Sequence, residues 1–313
     1  MERNIRLDGM MGLVTGDALG SPVQFSSREA VRRRAQGPVT GMESGGVFRT
    51  PAGTWTDDSS MALAALDSIN VRGEVDLDDI MEGFVSWYEE GKYTPFGEAF
   101  DIGGTCSQAI LKYEREHDTM TCGGTSEHSN GNGSLMRIMP VCLYVYEKGL
   151  PEAEAVKTVH EVAGLTHNHL RAKIACGLYY FCVREILDGT GSLTERLQSG
   201  LDKGFTFYKQ KVVNLTQLSY YARLRDLTAF AGVPESGIKS SGYVVDSLEA
   251  AIWSLICTDS FKDCLLKAVN LGDDADTVGA IAGGLAGLYY GYDAIPEDWL
   301  AVIQRREWIE GMC

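Results

Sequence analysis

The chain has 313 residues, 44% of them apolar and 23% charged, and a formal net charge of −15. That charge argues against nucleic acid or an anionic membrane as the main partner, and the length allows a core that needs no staples. The longest apolar stretch, Val278 to Tyr290, is about 13 residues and too short to span a bilayer, and the N-terminus lacks a secretory pattern, so a cytoplasmic location is expected.

A first helix is expected over Ile5 to Leu19, where Leu7, Met10, Met11, Val14 and Ala18 recur at helical spacing. Pro22 ends it, and Gly16 and Gly20 allow close backbone approach. Asp17 between them is either a capping acid or a contact behind a site. A polar, glycine-rich loop runs from Ser26 to Thr54. Its triplet Arg32-Arg33-Arg34 reads as a solvated helix face, and Glu43, set among glycines, is a candidate mobile lid carboxylate. The loop closes on Thr56-Asp57-Asp58 at the mouth of the apolar run Met61 to Leu66. Alone, that triplet is an N-cap with acids favoured by the helix dipole.

Helical patterns continue over Leu77 to Tyr88 and Thr105 to Tyr113, with Asp101 in the irregular stretch between them. Asp101 is either an N-cap or a site residue. His117-Asp118 is the doublet of HD-type phosphohydrolases, but it lies in a charged, loop-like run and no metal role is expected for it. Gly131-Asn132-Gly133-Ser134 is read as opening a helix, with free N–H groups suited to an anion such as phosphate. Arg137 is placed to pair with a phosphate or a structural acid. Helices follow over Glu152 to Ala163 and Ala172 to Leu187. His167 between them is a hydrogen-bond donor to a ligand rather than a zinc ligand, because His167 and His169 lack a cysteine or third histidine. Gly189 to Asn214 has weak periodicity. Tyr243 follows a flexible Ser-Ser-Gly and could present its ring to a purine.

The last long helix opens on Asp273, Asp274, Asp276 and Thr277 and continues in small apolar residues. It repeats the pattern of Thr56-Asp57-Asp58. If the two helix mouths converge, about four carboxylates meet and two divalent cations balance them. The helix dipoles disfavour cations at such a place, so a surplus of carboxylates is what it requires. All-oxygen ligands favour Mg2+, Mn2+ or Ca2+ over zinc or copper. The eight scattered cysteines form no C-x-x-C pair and read as reduced, buried thiols. There are about ten to thirteen helical segments and no sustained strands, and only Gly37 to Phe48 could hide a short one. One all-α domain over residues 1–313 is expected.

The ordered set Gly16-Asp-Ala-Leu-Gly20, Trp55-Thr-Asp-Asp-Ser59, Phe100-Asp-Ile-Gly103, Gly131-Asn-Gly-Ser134, Leu165-Thr-His167 and Gly272-Asp-Asp-Ala-Asp-Thr277 resembles the ADP-ribosylglycohydrolase family. Within it, the chain looks most similar to the dinitrogenase reductase-activating glycohydrolase branch. The resemblance implies an all-α fold with a binuclear metal cleft holding two Mg2+ or Mn2+ ions. It also implies removal of ADP-ribose from a modified acceptor, with arginine favoured. Carried over by position, Thr56, Asp57, Asp58, Asp274, Asp276 and Thr277 would be the metal ligands. Asp101 would be the catalytic carboxylate, with Glu43 as second candidate. Gly131, Asn132, Gly133 and Ser134 would hold the diphosphate, and His167 and Tyr243 would line the ADP-ribose cleft. The substrate would be an ADP-ribosylated protein or small molecule. A non-catalytic ADP-ribose reader and a binuclear phosphoesterase are the rival readings.

Overall fold

A computed structural model describes residues 3–313. The described residues form sixteen α-helices in order. The first eight are α1 Ile5–Gly20, α2 Arg28–Arg33, α3 Asp57–Arg72, α4 Leu77–Glu90, α5 Gly104–Glu116, α6 Met139–Glu147, α7 Glu152–Gly164 and α8 Leu170–Asp188. The rest are α9 Leu193–Lys209, α10 Val212–Leu218, α11 Leu227–Ala231, α12 Val244–Ile256, α13 Phe261–Val269, α14 Ala275–Tyr290, α15 Glu297–Leu300 and α16 Arg306–Met312. The all-α expectation holds, in a single domain. The stretch suspected of hiding a strand contributes only Gly45, which forms an isolated bridge to Thr50.

The centre of the molecule is the antiparallel pair α1 and α14. Their glycines face one another at four-residue intervals. A Cβ on Gly12 would lie 2.2 Å from the Gly283 carbonyl oxygen, one on Gly16 1.9 Å from that of Gly279, and one on Gly287 2.1 Å from that of Asp8. Only a residue without a side chain permits backbones this close. Both helices are buried along almost their whole length, with α12, α13, α8 and α3 packed around them. This register sets the buried Asp17 of α1 beside the N-terminus of α14.

Two local expectations are corrected. The weakly periodic stretch Gly189 to Asn214 contains the seventeen-residue helix α9. Its start is a capping box in which Ser192 Oγ accepts from Glu195 N–H and Glu195 Oε2 accepts from Ser192 N–H. The helix expected to open at Gly131–Ser134 begins instead at Met139, with Pro140 in its first turn. All eight cysteines are free thiols, and among the described residues no helix is long and apolar enough to cross a membrane.

The glycine seam gives a direct stability test. Gly16→Ala should cost about 2–3 kcal/mol as overpacking, seen as a Tm lower by roughly 5 °C or more. Gly311→Ala, where a Cβ meets nothing within 4 Å, should leave Tm unchanged or slightly raised. Equal Tm values for the two variants would contradict the seam.

Candidate metal centre and catalytic cavity

The N-terminus of α3 is capped from another helix. Thr56 is the N-cap residue, but its side chain makes no capping bond. The Asp17 carboxylate of α1 accepts from Thr56 N–H (3.0 Å to each oxygen), Thr56 Oγ1 (2.9 Å), Ser59 N–H (3.0 Å) and Ser59 Oγ (2.6 Å). Asp274 is likewise the N-cap residue of α14 and makes no side-chain capping bond. It accepts from Asn132 Nδ2 at 2.5 Å. The acids at both helix mouths are therefore free of the ordinary capping task. Asp101 is not an N-cap either, since Gly103 occupies that position of α5.

The two mouths do converge. One oxygen each from Asp17, Asp58 and Asp276 lies within 4.8 Å of the others. Asp58 Oδ1 and Asp276 Oδ1 are buried and have no hydrogen-bond partner. Burial pushes Asp57, Asp58 and Asp276 well above the usual carboxylate range, and the neighbouring carboxylates push further in the same direction. Asp274 is also raised, by burial. Burial takes Asp101 up to about 6, against the Gln24 amide, which favours its charged form. Asp17 is likewise at about 6 through burial, offset by its four donor groups. Orphaned buried carboxylate oxygens in a crowd of like charge fit a hard divalent cation, and the donors are all oxygen. The Asp17 oxygens are already taken by those donors, so its part is to hold the α3 mouth in place.

A cavity of about 310 Å³ opens over this cluster, lined by Asp57, Asp101, Gly131, Asn132, Gly133, His167, Asp274, Asp276 and Thr277 among others. Thr56 and Asp58 lie behind it, each 1% exposed. Ser134 is buried and accepts from the Cys176 thiol. Tyr243 is not part of the lining; its hydroxyl accepts from Arg171 at 3.2 Å, while its backbone bridges to Gly131. Glu43 does not line the cavity, and its carboxylate accepts from both Arg34 guanidinium nitrogens, at 2.9 and 3.1 Å. Asp273 is exposed and contributes its backbone alone.

The turn at Gly131–Ser134 does not offer all its N–H groups, because Asn132 N–H donates to Gly242 O at 3.0 Å. Its glycines are needed for another reason. A Cβ on Gly133 would meet His167 Cε1 at 2.8 Å. Among the described residues Arg137 forms no ion pair with an acid. It is 1% exposed behind this turn and donates to Gly133 O and to Thr166 Oγ1. Thr166 Oγ1 lies 2.8 Å from His167 Nδ1. With Arg137 donating to that hydroxyl, its proton is assigned to Nδ1, which leaves Nε2–H as the donor. Burial, helped by Arg137, lowers His167 to about 3 and keeps it neutral.

Sequence reasoning missed Phe25, Ile102 and Cys106, which also line the cavity. It missed Gln24 too, a buried amide beside Asp101. Of these only Ile102 lies in a motif that the sequence singled out, Phe100-Asp-Ile-Gly103, where Asp101 carries the chemistry.

The family model described as ADP-ribosylglycohydrolase matches residues 3–313. The chain is 33% identical to the ADP-ribosylarginine hydrolase Tri1 of Serratia proteamaculans, over 97% of this chain and 76% of that protein. It is also 33% identical to the ADP-ribosyl-[dinitrogen reductase] glycohydrolase of Rhodospirillum rubrum, over 96% of this chain and 90% of that one. A solved structure titled ADP-ribosylglycohydrolase-related protein complex superposes with a TM-score of 0.78 at 32% identity, covering 98% of this chain and 95% of that chain.

The electrostatics set a pH-dependent test. A carboxyl whose folded value is raised above its unfolded one contributes stability at low pH, and loses it as pH rises through the folded value. For Asp17 and Asp101 that value is about 6. In EDTA, Tm should fall as pH rises from about 4 to about 7. Mg2+ or Mn2+ should raise it again at the higher pH. Calorimetry that finds Tm at the higher pH indifferent to both EDTA and Mn2+ would rule out a cation at this cluster.

Proposed function

We infer that this chain, which belongs to the ADP-ribosylglycohydrolase family, is a hydrolase that removes ADP-ribose from a modified arginine side chain of a protein. The observation that carries the reading is the pair of helix mouths, with their unpartnered Asp58 and Asp276 oxygens, under a cavity edged by Asp101. The relatives named for ADP-ribosylarginine and ADP-ribosyl-[dinitrogen reductase] support the choice of acceptor.

Thr56, Asp57, Asp58, Asp274, Asp276 and Thr277 would hold two Mg2+ or Mn2+ ions. When bound, such ions supply Lewis-acid polarisation of ligand hydroxyls and of water. The rest of the work falls to the chain itself. Hydrolysis breaks the bond between the anomeric carbon and the guanidine nitrogen, adds a water oxygen to that carbon and returns a proton to the nitrogen. Positive charge builds on the ribose as the bond stretches, and the surrounding carboxylates stabilise it. Asp101, which edges the cavity and whose carboxyl burial raises to about 6, takes the proton from water or passes one to the leaving nitrogen. Glu43, held by Arg34, would need its loop to move before it could take part, so the proton transfer is assigned to Asp101. At the far end of the substrate, Gly131, Gly133 and the neutral His167 Nε2–H contact the diphosphate, and Asn132 fixes the turn against Gly242 and Asp274. Binding there anchors the substrate away from the reacting carbon.

Asp101→Asn should lower kcat by about 100-fold or more while the protein still binds two ions per chain by metal titration. Asp276→Ala should lose bound metal and activity together. Mass spectrometry of the products decides the reaction class. Free ADP-ribose with regenerated arginine supports the reading, AMP or inorganic phosphate replaces it with phosphoester cleavage, and binding without turnover replaces it with a reader.

A further inference from the structure

We propose that the apolar rim of the cavity, built by Phe25, Phe48, Phe100 and Ile102, docks the folded protein that carries the ADP-ribosylated side chain. The proposal deepens the reading above and rests on its placement of the scissile bond at Asp101.

Phe25 is 61% exposed at the edge of the cavity. Its backbone is left-handed, with φ of 60°, a conformation a bulky residue rarely adopts. Two backbone hydrogen bonds hold it there, Phe25 N–H to Asp273 O (2.5 Å) and Asp273 N–H to Ser26 O (2.7 Å). Asp273 is left-handed as well, and so are Asp101 and Arg49. Two of these left-handed residues, Phe25 and Asp101, line the cavity itself, and such backbone persists only where the surrounding structure holds it.

Phe48 joins this rim through Phe100, the chain neighbour of Asp101. Gly45 and Thr50 exchange both backbone hydrogen bonds, at 2.9 and 3.1 Å, and close a tight turn with Val47 and Phe48 at its tip. Gly46, at φ 71°, lays that turn on Ser21 and Pro22, where a Cβ would come within 2.8 Å of the Ser21 carbonyl oxygen. The Phe48 ring then packs edge-on to Phe100 at 5.3 Å. Phe100 and Ile102 are the two chain neighbours of Asp101, and Ile102 is 39% exposed.

The position of this rim decides its occupant. With the ribose carbon at Asp101, the side chain attached to it lies beside Ile102, the chain neighbour of Asp101, and Phe25, which lines the same cavity. The ADP-ribose half is anchored through its diphosphate, assigned above to Gly131, Gly133 and His167. A free arginine conjugate is small and charged and cannot cover three apolar side chains. A protein surface with apolar residues beside the modified side chain can. A rim of this size suits a brief enzyme–substrate encounter rather than a permanent complex.

The test compares wild type with Phe25→Ser and Phe48→Ser on two substrates, an ADP-ribosylarginine-bearing protein and free N-ADP-ribosyl-arginine. On the protein, kcat/KM should fall by about tenfold or more, chiefly through KM. On the free conjugate the loss should be several times smaller. Equal losses on both substrates, or none on either, overturn the proposal. Circular dichroism and Tm confirm that the variants fold. If wild type releases ADP-ribose from neither substrate, the hydrolase reading fails, and interferometry with the immobilised ADP-ribosylated protein still decides the rim. Wild-type binding that weakens about tenfold in Phe25→Ser upholds it, and unchanged binding overturns it. Sedimentation showing a dimer of this chain that Phe25→Ser dissociates would assign the rim to a second copy and overturn it too.

Discussion

Backbone contact between α1 and α14 is the constraint on which the rest of the structure depends. Helices with ordinary side chains pack with axes about 8–10 Å apart, and the facing glycines of this pair let it close further. At that range Asp17 of α1 stands beside Asp276 of α14. Asp17 in turn accepts from Thr56 and Ser59 and so places the start of α3. A single seam of glycines thus fixes three helices relative to one another, and the two acidic mouths follow from it.

The cluster is unfavourable by itself, and its design shows how that cost is divided. Asp17 is buried, but each of its oxygens has donors, so it is a carboxylate the protein satisfies alone. Asp58 and Asp276 are buried with an oxygen left over. The N-terminal dipoles of α3 and α14 offset part of their repulsion, and the remainder is what a cation can relieve. A purely structural acid cluster would have donors at every oxygen, as Asp17 does. The contrast within one cluster separates positioning from binding better than any single distance.

Legibility in the sequence followed the same division. Thr56-Asp57-Asp58 and Asp274-Ala-Asp276-Thr277 stood out because several acids at a helix mouth are costly enough to need an explanation. Gly16 and Gly20 of α1 were readable as places for close approach, but nothing in one dimension says that α14 is the partner. Asp17 was visible only as an acid between glycines, since its role depends on a helix that starts forty residues later. The turn at Gly131 was misread as a helix start because glycine and serine suit both, whereas Pro140 marked the true start. Helix α9 was missed although Ser192 and Glu195 spell its capping box. Its apolar positions are diluted by polar ones, so periodicity alone was a poor guide.

Phe25 and Gln24 show where such reading runs out. Phe25 is one aromatic among ten phenylalanines, and neither its left-handed backbone nor its exposure is encoded in its neighbours. Both arise because Asp273, at the far end of the chain, pairs with the Phe25–Ser26 backbone. The residue after Gly272 therefore does two things at once. Its backbone holds an apolar ring at the mouth of the cavity, and its position sets Asp274 and Asp276 over the floor. One ring of the rim and two acids of the floor are tied to one short segment, so a shift of that segment would move them together. Such coupling keeps the reacting bond in register with whatever surface rests on the rim.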